Sequence, residues 1–245
     1  MQPKITVITV CFNASDEIEQ TILSVINQTY SNIEYLIIDG GSTDNTIDVI
    51  KKYEGKITKW VSEPDRGIYD AMNKGIKMAS GEWLNMMNAG DRFENDHVLE
   101  NVFSINYPSN ITFLYSDSME EYNDGRIYRT DKSHKELRLL HQASIYRRSL
   151  HEEHGYYVVT PKIIVSDLLF FASIPENEFK KLPFPIASYK VGGVSSGGWC
   201  IDQALCVKVV FRKLSFGRML IIYVLNHLKM KIPILRYLQR LILGR

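Results

Sequence analysis

Cysteine is scarce in this chain of 245 residues, and its spacing matches neither a disulfide framework nor a zinc site. The three cysteines are Cys11, Cys200 and Cys206, and no Cys-x-x-Cys pair occurs. An odd, unpaired set of this kind indicates a reducing compartment. We therefore expect free thiols that pack as small buried hydrophobic groups.

A long hydrophobic run is also missing. The apolar stretch near the amino terminus, residues 5–10, is six residues long, which is far short of the core of a signal peptide. Toward the carboxyl terminus the longest uncharged apolar run is residues 219–225, seven residues against the roughly 20 that a membrane-spanning helix needs. These lengths predict a cytoplasmic protein that does not cross a bilayer.

Glycine-rich phosphate-binding motifs are absent. No Gly-x-Gly-x-x-Gly follows either of the first two predicted strands, and no Gly-x-x-x-x-Gly-Lys-Ser/Thr occurs anywhere. The first absence argues against a dinucleotide enzyme that transfers hydride, and the second argues against a P-loop ATPase. A nucleotide-binding protein with this sequence would hold its ligand through side chains and a metal ion.

Acidic residues are missing from the last part of the chain. The formal net charge is +1, yet all 28 acidic residues lie at or before Asp202. The first 202 residues carry a net charge of −8, and the last 43 carry +9. This asymmetry suggests an anionic partner for the carboxyl-terminal segment. Its basic residues are Lys208, Arg212, Lys213, Arg218, Lys229, Lys231, Arg236, Arg240 and Arg245.

Apolar segments rich in β-branched residues alternate with helical patterns over the first 91 residues, and the alternation weakens afterwards. This order predicts an α/β fold in which a mainly parallel, twisted sheet is flanked by helices. The predicted strands are residues 5–10, 33–39, 57–61, 82–87, 111–115, 127–129 and 142–146.

Carboxylates follow four of these strands. They are Asp39, Asp65 within the segment 63–66, Asp91 and Asp117. In open α/β sheets, ligands bind beyond the carboxyl ends of the strands, so we expect these residues to face one cleft. Taken singly, each is more typical of a turn or a helix cap. Together they favour a nucleoside diphosphate site, because Mg²⁺ prefers carboxylate, phosphate and water oxygens.

Two long segments resemble one enzyme family. Residues 5–46 read ITVITVCFNASDEIEQTILSVINQTYSNIEYLIIDGGSTDNT, and residues 62–91 read SEPDRGIYDAMNKGIKMASGEWLNMMNAGD. In that order they are similar to the nucleotide-binding strands and the donor-site segment of the family 2 glycosyltransferases. These are inverting nucleotide-sugar enzymes of bacterial surface-polysaccharide synthesis. The resemblance is strong from residue 4 to about residue 91, and it implies a GT-A fold.

The resemblance also implies a donor site. Asp91 would lie near the diphosphate and a Mn²⁺ or Mg²⁺ ion. The family's metal motif often reads Asp-x-Asp-Asp, whereas here it reads Asn88-Ala89-Gly90-Asp91. One carboxylate is left, which predicts weaker metal binding. The residues assigned to the nucleotide-sugar are Thr9, Asn13, Asp39, Ser42, Asp65, Arg66 and Asn88.

Asp167 is the candidate base, because an inverting transfer needs a carboxylate that takes the proton of the attacking hydroxyl. It is the one acid in the apolar stretch 163–171, where burial is expected to raise its pKa. Its place resembles that of the family's catalytic Asp, and the alternative is a helix cap. His141 and Gln142 match a recurring pair of the family and are candidates for contact with acceptor or donor sugar. A lone histidine, however, is more often structural.

Two segments near the carboxyl terminus have open interpretations. Ser195 and Ser196 lie in the glycine-rich loop 192–198, which is either a lid over the diphosphate or a linker. After Pro233, residues 234–245 place apolar side chains on one helical face and cations on another, the pattern of a helix on an anionic membrane. The alternative is packing on the catalytic domain. No nucleic-acid-binding module accompanies the charge.

The sequence predicts a GT-A catalytic domain, residues 1–200, and a basic amphipathic helical tail, residues 201–245. Within the domain, residues 1–91 would bind the nucleotide-sugar and residues 92–200 the acceptor. We expect an inverting enzyme that moves a sugar from a UDP-sugar to a lipid-linked saccharide, on a polyprenyl diphosphate, at the inner face of the cell membrane. The alternatives are a catalytically silent nucleotide-sugar-binding membrane scaffold and a nucleotidyltransferase, which would carry a glycine-rich basic loop after the first strand.

Overall fold

The computed structural model describes residues 2–122, 124–192 and 198–228. Ser195, Ser196 and the predicted membrane helix 234–245 lie outside these ranges. The strands are β1 (Ile5–Cys11), β2 (Ile33–Asp39), β3 (Lys59–Ser62), β4 (Trp83–Met86), β5 (Asp91–Phe93), β6 (Phe113–Tyr115), β7 (Ser118–Glu121), β8 (Ile127–Thr130), β9 (Ser144–Arg147), β10 (Phe179–Lys181) and β11 (Ala187–Lys190). The helices are α1 (Ile18–Ile26), α2 (Thr46–Lys52), α3 (Ile68–Met78), α4 (Val98–Phe103), α5 (Leu150–His154), α6 (Ser166–Ser173), α7 (Gly198–Val210) and α8 (Phe216–Leu228).

The main sheet has seven strands in the order β10-β6-β9-β4-β1-β2-β3. Strands β4, β1, β2 and β3 pair in parallel, as do β6 and β10, whereas β9 runs antiparallel to both β4 and β6. The prediction of a mainly parallel sheet flanked by helices is confirmed. Strand β3 begins at Lys59 and not at residue 57, because the N–H of Ile57 still closes a 3₁₀ turn onto Glu54.

A second sheet contains four short strands in the order β5-β11-β7-β8. Only the segment at β8 was predicted as a strand. Strand β5 follows β4 after a turn of four residues, so the chain passes from one sheet to the other at that turn. The divisions at residues 91 and 200 remain predictions.

Helices cover both faces of the main sheet. On one face Ile5 and Ile37 belong to a core cluster with residues of α1 and α4, and on the other Ile8 and Ile38 cluster with residues of α3. A Cβ on Gly75 of α3 would lie 2.5 Å from Ile8 Cγ2, so this helix packs closely on the sheet. Coverage on both faces explains why β1 and β2 are almost continuously apolar and not alternating.

The three thiols are all free, but they are not equally buried. Cys11 is buried, Cys200 is half-buried and Cys206 on α7 is exposed. The expectation of buried thiols is confirmed for Cys11 and wrong for Cys206, because α7 leaves that side chain on its solvent side. Within the described ranges, we find no helix whose length and apolar content would let it cross a membrane.

Glu34 of β2 forms a buried polar cluster at the amino-terminal end of the sheet. Its carboxylate accepts hydrogen bonds from Thr6 Oγ1 at 2.5 Å, from the Ser80 N–H at 2.7 Å and from Lys4 Nζ at 3.3 Å. Burial would raise the pKa of Glu34, but the bonds from Ser80, Thr6 and Lys4 outweigh it and lower the pKa to about 2. The ionised form therefore stabilises the fold.

Glu34→Gln is expected to reduce the free energy of unfolding by roughly 2 kcal/mol at neutral pH. The folded-state pKa lies below the ordinary value of 4.5, so the stabilisation is present above pH 4.5 and is lost as the pH falls toward 2. Urea unfolding of wild type and variant at pH 7 and pH 3 measures the effect. The difference should shrink at pH 3, and an equal difference at both pH values contradicts a role for the charge.

Candidate active site

The ends of three neighbouring strands form the floor of the candidate site. Cys11 at the end of β1 pairs with Asp39 at the end of β2. On the other side of β1, the Ala89 N–H donates to the Val10 carbonyl at 3.1 Å. Adjacent strands lie about 4.8 Å apart, so the turns after Cys11, Asp39 and Met86 emerge at one edge of the sheet.

Asn13 ties the first two of these turns together. Its φ of 49° lies in the left-handed region, which Asn tolerates better than most residues. Its N–H donates to Ser42 Oγ at 2.7 Å, and its Oδ1 accepts from the Thr43 N–H at 2.9 Å. The structure thus brings Asn13 and Ser42, two of the residues assigned to the donor, into direct contact.

Asp39 is fully buried and shapes the turn that follows it. Its carboxylate accepts hydrogen bonds from the N–H groups of Gly41 and Ser42 at 3.0 and 2.9 Å, from Ser62 Oγ at 2.7 Å, and from Ser42 Oγ. Burial would raise the pKa of Asp39, but these bonds outweigh it and lower the pKa. Asp39 therefore holds Ser42 in the turn after β2, while its own oxygens are occupied inside the protein.

Thr9 lies inside the core and not on the cleft. Its side chain is buried, Oγ1 donates to the Met87 carbonyl at 2.7 Å, and the same oxygen is 3.0 Å from Tyr35 Oη. These contacts join β1 to β2 and to the segment after β4. Thr9 lies before the last residues of β1, in the part of the strand that helices cover. The structure therefore places Thr9 away from the turns that carry Asn13 and Ser42.

Asp65 lies against the turn that follows β2. A Cβ on Gly40 would come within 2.5 Å of Asp65 Oδ2, so the missing side chain leaves room for this carboxylate. Arg66 behaves differently, because it is exposed and its guanidinium pairs with Asp70 of α3 at 3.1 Å. The structure therefore brings Asp65, but not the Arg66 side chain, to the Gly40 turn.

The turn Asn88-Ala89-Gly90-Asp91 joins the two sheets. Gly90 has a φ of 94°, in the left-handed region that favours glycine. Thr21, a buried residue of α1, donates from Oγ1 to the Asp91 carbonyl at 2.6 Å and accepts from the Gly90 N–H at 3.0 Å. A fixed backbone therefore carries the Asp91 carboxylate.

His141 lies between the carboxylates of Asp91 and Asp167. Its Nδ1 is 3.1 Å from Asp167 Oδ2, and its Nε2 is 3.8 Å from Asp91 Oδ2. Burial alone would lower the pKa of His141, but Asp167 and Asp91 outweigh it and raise the pKa to about 9. At neutral pH this side chain is an imidazolium between two acids.

The Asn88 amide also faces His141. Asn88 Nδ2 lies 2.8 Å from His141 Nε2, and among the described residues Asn88 Oδ1 has no hydrogen-bond partner. An imidazolium donates from both ring nitrogens, so charged His141 needs an acceptor at this place. Half a turn of the amide would supply Oδ1 as that acceptor.

Asp167 lies in the first turn of α6, and three groups hold its carboxylate. Tyr69 Oη and the Leu168 N–H donate to Oδ1 at 2.8 and 2.9 Å, while His141 contacts Oδ2. Burial would raise the pKa of Asp167, but the bonds from His141 and Tyr69 outweigh it and hold the pKa below its ordinary value. The expectation of a raised pKa is wrong, and the carboxylate is ionised at neutral pH. The helix-cap alternative is wrong, because α6 begins at Ser166 with Val165 at the N-cap and Asp167 already lies inside the helix.

Asp91 supplies a carboxylate that could hold a divalent cation, and Gln142 lies beside it. Gln142 Nε2 lies 3.5 Å from Asp91 Oδ1, and Oε1 of the same buried amide has no hydrogen-bond partner within the described part of the chain. Burial raises the pKa of Asp91 although His141 opposes the shift. Residues 2–122, 124–192 and 198–228 contain no group of three or more His, Cys, Asp or Glu suited to a metal. The residues therefore fit an ion held mainly by a diphosphate and water.

Asp117, the fourth strand-end carboxylate, is used in ion pairs. Lys181 Nζ lies 2.6 Å and Arg129 Nε 2.9 Å from its oxygens, and the Lys132 N–H donates to it at 3.1 Å. Burial would raise the pKa of Asp117, but these partners outweigh it and lower the pKa. Ion pairs therefore hold Asp117 beside the second sheet.

Two side chains that organise the site were not predicted. Tyr69 is the donor to Asp167, and Thr21 holds the turn before Asp91. Thr21 carried a usable signal, since it is a polar residue beside Ile18 and Ile22 on the inner face of α1. Tyr69 carried none, because a tyrosine on the inner face of a helix is usually a core residue.

Comparison with known proteins gives a family and several relatives. The family described as Glycosyl transferase family 2 matches residues 6–165. The uncharacterized glycosyltransferase MT1564 of Mycobacterium tuberculosis (strain CDC 1551 / Oshkosh) is 43% identical over 98 residues, which cover 40% of this chain and only 37% of that protein. A PGL/p-HBAD biosynthesis glycosyltransferase of Mycobacterium bovis (strain BCG / Pasteur 1173P2) is 26% identical over 207 residues, with 79% and 80% of the two chains covered.

Solved structures share the fold. S. aureus TarS 1–349 in complex with UDP-GlcNAc superposes with a TM-score of 0.68 at 18% identity, covering 92% of this chain and 73% of TarS. The mannosyltransferase PcManGT from Pyrobaculum calidifontis, in complex with GDP-Man and Mn²⁺, gives a TM-score of 0.69 at 15% identity, covering 98% and 79%. The predicted GT-A fold is confirmed by this likeness.

Proposed function

Because the chain belongs to glycosyl transferase family 2, we propose that it moves a sugar from a UDP-sugar to a hydroxyl of a lipid-linked saccharide, with inversion at the anomeric carbon. The position of His141 between Asp91 and Asp167 carries this proposal. Asp91 is the residue expected to face the diphosphate, and Asp167 is the candidate base. Donor and acceptor groups would therefore meet at this point.

The nucleoside would lie on the turns that follow β1, β2 and β3. Asn13 and Ser42 form one side of this surface, and Asp65 beside Gly40 forms the other. Polar side chains at these turns suit a base and a ribose. TarS is described with UDP-GlcNAc and PcManGT with GDP-Man, so a test needs both nucleotides.

A Mn²⁺ or Mg²⁺ ion would be held by Asp91 together with the donor diphosphate and water. Such an ion neutralises charge on a leaving diphosphate. PcManGT is described with Mn²⁺, which supports an ion at the corresponding place. The single carboxylate of this chain supports weak binding, because the protein supplies few of the ligands that Mg²⁺ or Mn²⁺ needs.

Asp167 would act as the base. Burial would raise the pKa of Asp167, but the bonds from His141 and Tyr69 outweigh it and lower the pKa, so the carboxylate is ionised and has a free place for a proton. The acceptor oxygen bonds to the anomeric carbon while the bond from that carbon to the diphosphate oxygen breaks. The proton of the acceptor hydroxyl passes to Asp167, and the electron pair of the broken bond leaves with the diphosphate. His141 and Tyr69 hold the carboxylate in position.

Slow donor hydrolysis tests the proposal without knowledge of the acceptor. The protein is incubated with a panel of UDP- and GDP-sugars, with Mn²⁺ or with EDTA, and free nucleotide is measured. We expect release from a UDP-sugar that Mn²⁺ increases about tenfold. Binding of a nucleotide-sugar without turnover, even when saccharides and membrane lipids are added, would support the catalytically silent scaffold instead.

We further propose that α8 holds the enzyme on the cytoplasmic face of a membrane. Large apolar side chains on this helix point to solvent, whereas Ile222 is buried. Exposed Arg212 precedes the helix, exposed Arg218 lies in its first turn, and no acidic residue follows Asp202. An apolar helix face beside cations suits anionic lipid. The exposed side chains are Phe216, Leu220, Ile221, Tyr223 and Val224.

Vesicle sedimentation tests this surface. We expect the wild-type chain to bind vesicles that contain phosphatidylglycerol and the double variant Leu220→Glu/Val224→Glu to bind them about tenfold more weakly. Val158→Glu is the matched control, since Val158 is 44% exposed and Val224 is 43% exposed. Equal loss in the control variant, or binding by the double variant at the wild-type level, would contradict the proposal.

A further inference from the structure

The second sheet carries a straight row of four paired residues that begins at the candidate active site. Asp91 of β5 pairs with Tyr189 of β11, Tyr189 pairs with Glu120 of β7, and Glu120 pairs with Tyr128 of β8. Three strand spacings separate the ends of the row, which is about 14 Å. Paired residues share a face of the sheet, so Tyr128 and Asp91 lie on the same surface.

A polar cavity lies over the middle of this row. Its volume is about 320 Å³, within the range of small-ligand pockets. Leu140 of its wall directly precedes His141, and Tyr189 of its wall pairs with Asp91, so the cavity adjoins the candidate active site. The donor-side residues Asn13 and Asp65 are not among its lining, which consists of Glu120, Thr130, Asp131, Lys132, Arg138, Leu139, Leu140 and Tyr189.

The charges of the cavity balance, which argues against an anionic ligand. Two acids and two cations line it. Tyr189 Oη donates to Glu120 Oε1 at 2.8 Å, and Lys132 Nζ lies 3.3 Å from the same oxygen. Burial would raise the pKa of Glu120, but Tyr189 and Lys132 outweigh it and lower the pKa. An ordered set of charged and hydroxyl groups without net charge suits a neutral ligand with many hydroxyls.

Two exposed tyrosines extend the surface beyond the cavity. Tyr122 is 37% exposed and Tyr128 is 48% exposed, and their ring centroids are 5.6 Å apart. The Arg126 guanidinium lies 5.8 Å from the centroid of each ring, and this contact fixes the pair. Tyr122 Oη is also 3.5 Å from Glu120 Oε2, which joins the rings to the cavity. Flat aromatic faces beside hydrogen-bonding groups match the C–H faces and hydroxyls of a pyranose ring.

We propose that this cavity and the Tyr122–Tyr128 pair form the acceptor site and that the acceptor is a neutral saccharide of at least two sugar units. The terminal sugar occupies the cavity, and the next unit stacks on the exposed Tyr128 ring. The inference rests on the proposed glycosyltransferase function. It adds the chemical class, the minimum length and the position of the acceptor chain.

Saccharide binding by the full chain loaded with UDP tests the proposal. The probes are immobilised neutral mono-, di- and trisaccharides built from hexoses, deoxyhexoses and N-acetylhexosamines. We expect at least one disaccharide to bind about tenfold more tightly than its terminal monosaccharide. Tyr128→Ala should remove that preference, and Glu120→Gln should weaken binding of both. Ile127→Ala is the matched control, because Ile127 is 55% exposed on the opposite face of β8.

The outcomes separate this inference from the proposed function. Absence of saccharide binding, or equal binding by Tyr128→Ala and Ile127→Ala, overturns the acceptor site. Hydrolysis of a UDP-sugar in the same preparation would still leave the proposed function standing. Saccharide binding without any nucleotide-sugar hydrolysis would instead retain the saccharide site and refute the transferase. A UDP titration of each variant reports that the donor side is folded.

Discussion

Replacing Asp167 with asparagine is expected to slow sugar transfer by about 10²- to 10⁴-fold, the usual contribution of a positioned general base. Asparagine has nearly the same shape and keeps an oxygen that can accept from Tyr69 and from the Leu168 N–H. It cannot take the proton of an acceptor hydroxyl. The measurement is UDP release from the preferred UDP-sugar in the presence of a bacterial membrane lipid extract as the source of acceptor.

Tyr69→Phe is the companion variant. It removes one donor to the Asp167 carboxylate, and transfer should fall only about tenfold, as for the loss of one hydrogen bond to a charged group. UDP binding should stay within about twofold of wild type for both variants, because neither side chain lies on the turns after β1, β2 and β3 that are proposed to bind the nucleoside. If Asp167→Asn turns over as fast as wild type, Asp167 is not the base.

Asp39→Asn is expected to reduce the free energy of unfolding by about 3 kcal/mol. The carboxylate is buried and accepts from two N–H groups and two serine hydroxyls. Asparagine offers one acceptor oxygen instead of two. Its NH₂ group is itself a donor and would face some of the N–H and hydroxyl donors that now bind the carboxylate. Urea unfolding at pH 7 measures the loss, and nucleotide binding should weaken with it because Ser42 loses its anchor.

The pH dependence gives this prediction its sign. The pKa of Asp39 is lowered in the folded protein, since bonds led by Ser42 outweigh burial. Its stabilisation is therefore present above the ordinary pKa of 3.8 and is lost as the pH falls through the folded-state value. Asp48→Asn, an exposed acid of α2, is the control and should change stability by only a few tenths of a kcal/mol. A similar loss in both variants would show that burial of Asp39 is not the cause.

The donor side was predictable because its signals are local in the sequence. Strands β1 and β2 are apolar runs that end at Cys11 and Asp39, and their parallel pairing follows from the helix between them. Asn13 and Ser42 come directly after these strands, so the shared edge placed them together. The assignment of Thr9 to the donor could not be made in this way. A side chain within a strand can point to the core or to the surface, and the sequence does not show which helices cover it.

The remainder depends on contacts between distant parts of the chain. The strands of the second sheet are three or four residues long, too short for a clear alternating pattern. The pKa of Asp167 was expected to rise because burial was visible in the sequence. Its hydrogen bonds with Tyr69 and His141 could not be seen in the sequence, because these residues are 98 and 26 positions away. Long-range hydrogen bonds therefore reversed a prediction based on composition.

The hairpin of β7 and β8 lies at the outer side of the second sheet, whereas β5, which begins with Asp91, lies at the opposite side. Two strands, β11 and β7, therefore separate β8 from β5 and from Asp91. Chimeras that exchange residues 118–130 between relatives should change which glycan chain is extended without changing the nucleotide that is used. Changes in the sequence of this hairpin would then alter the glycan product of related enzymes, while the donor nucleotide and the transfer reaction stay the same.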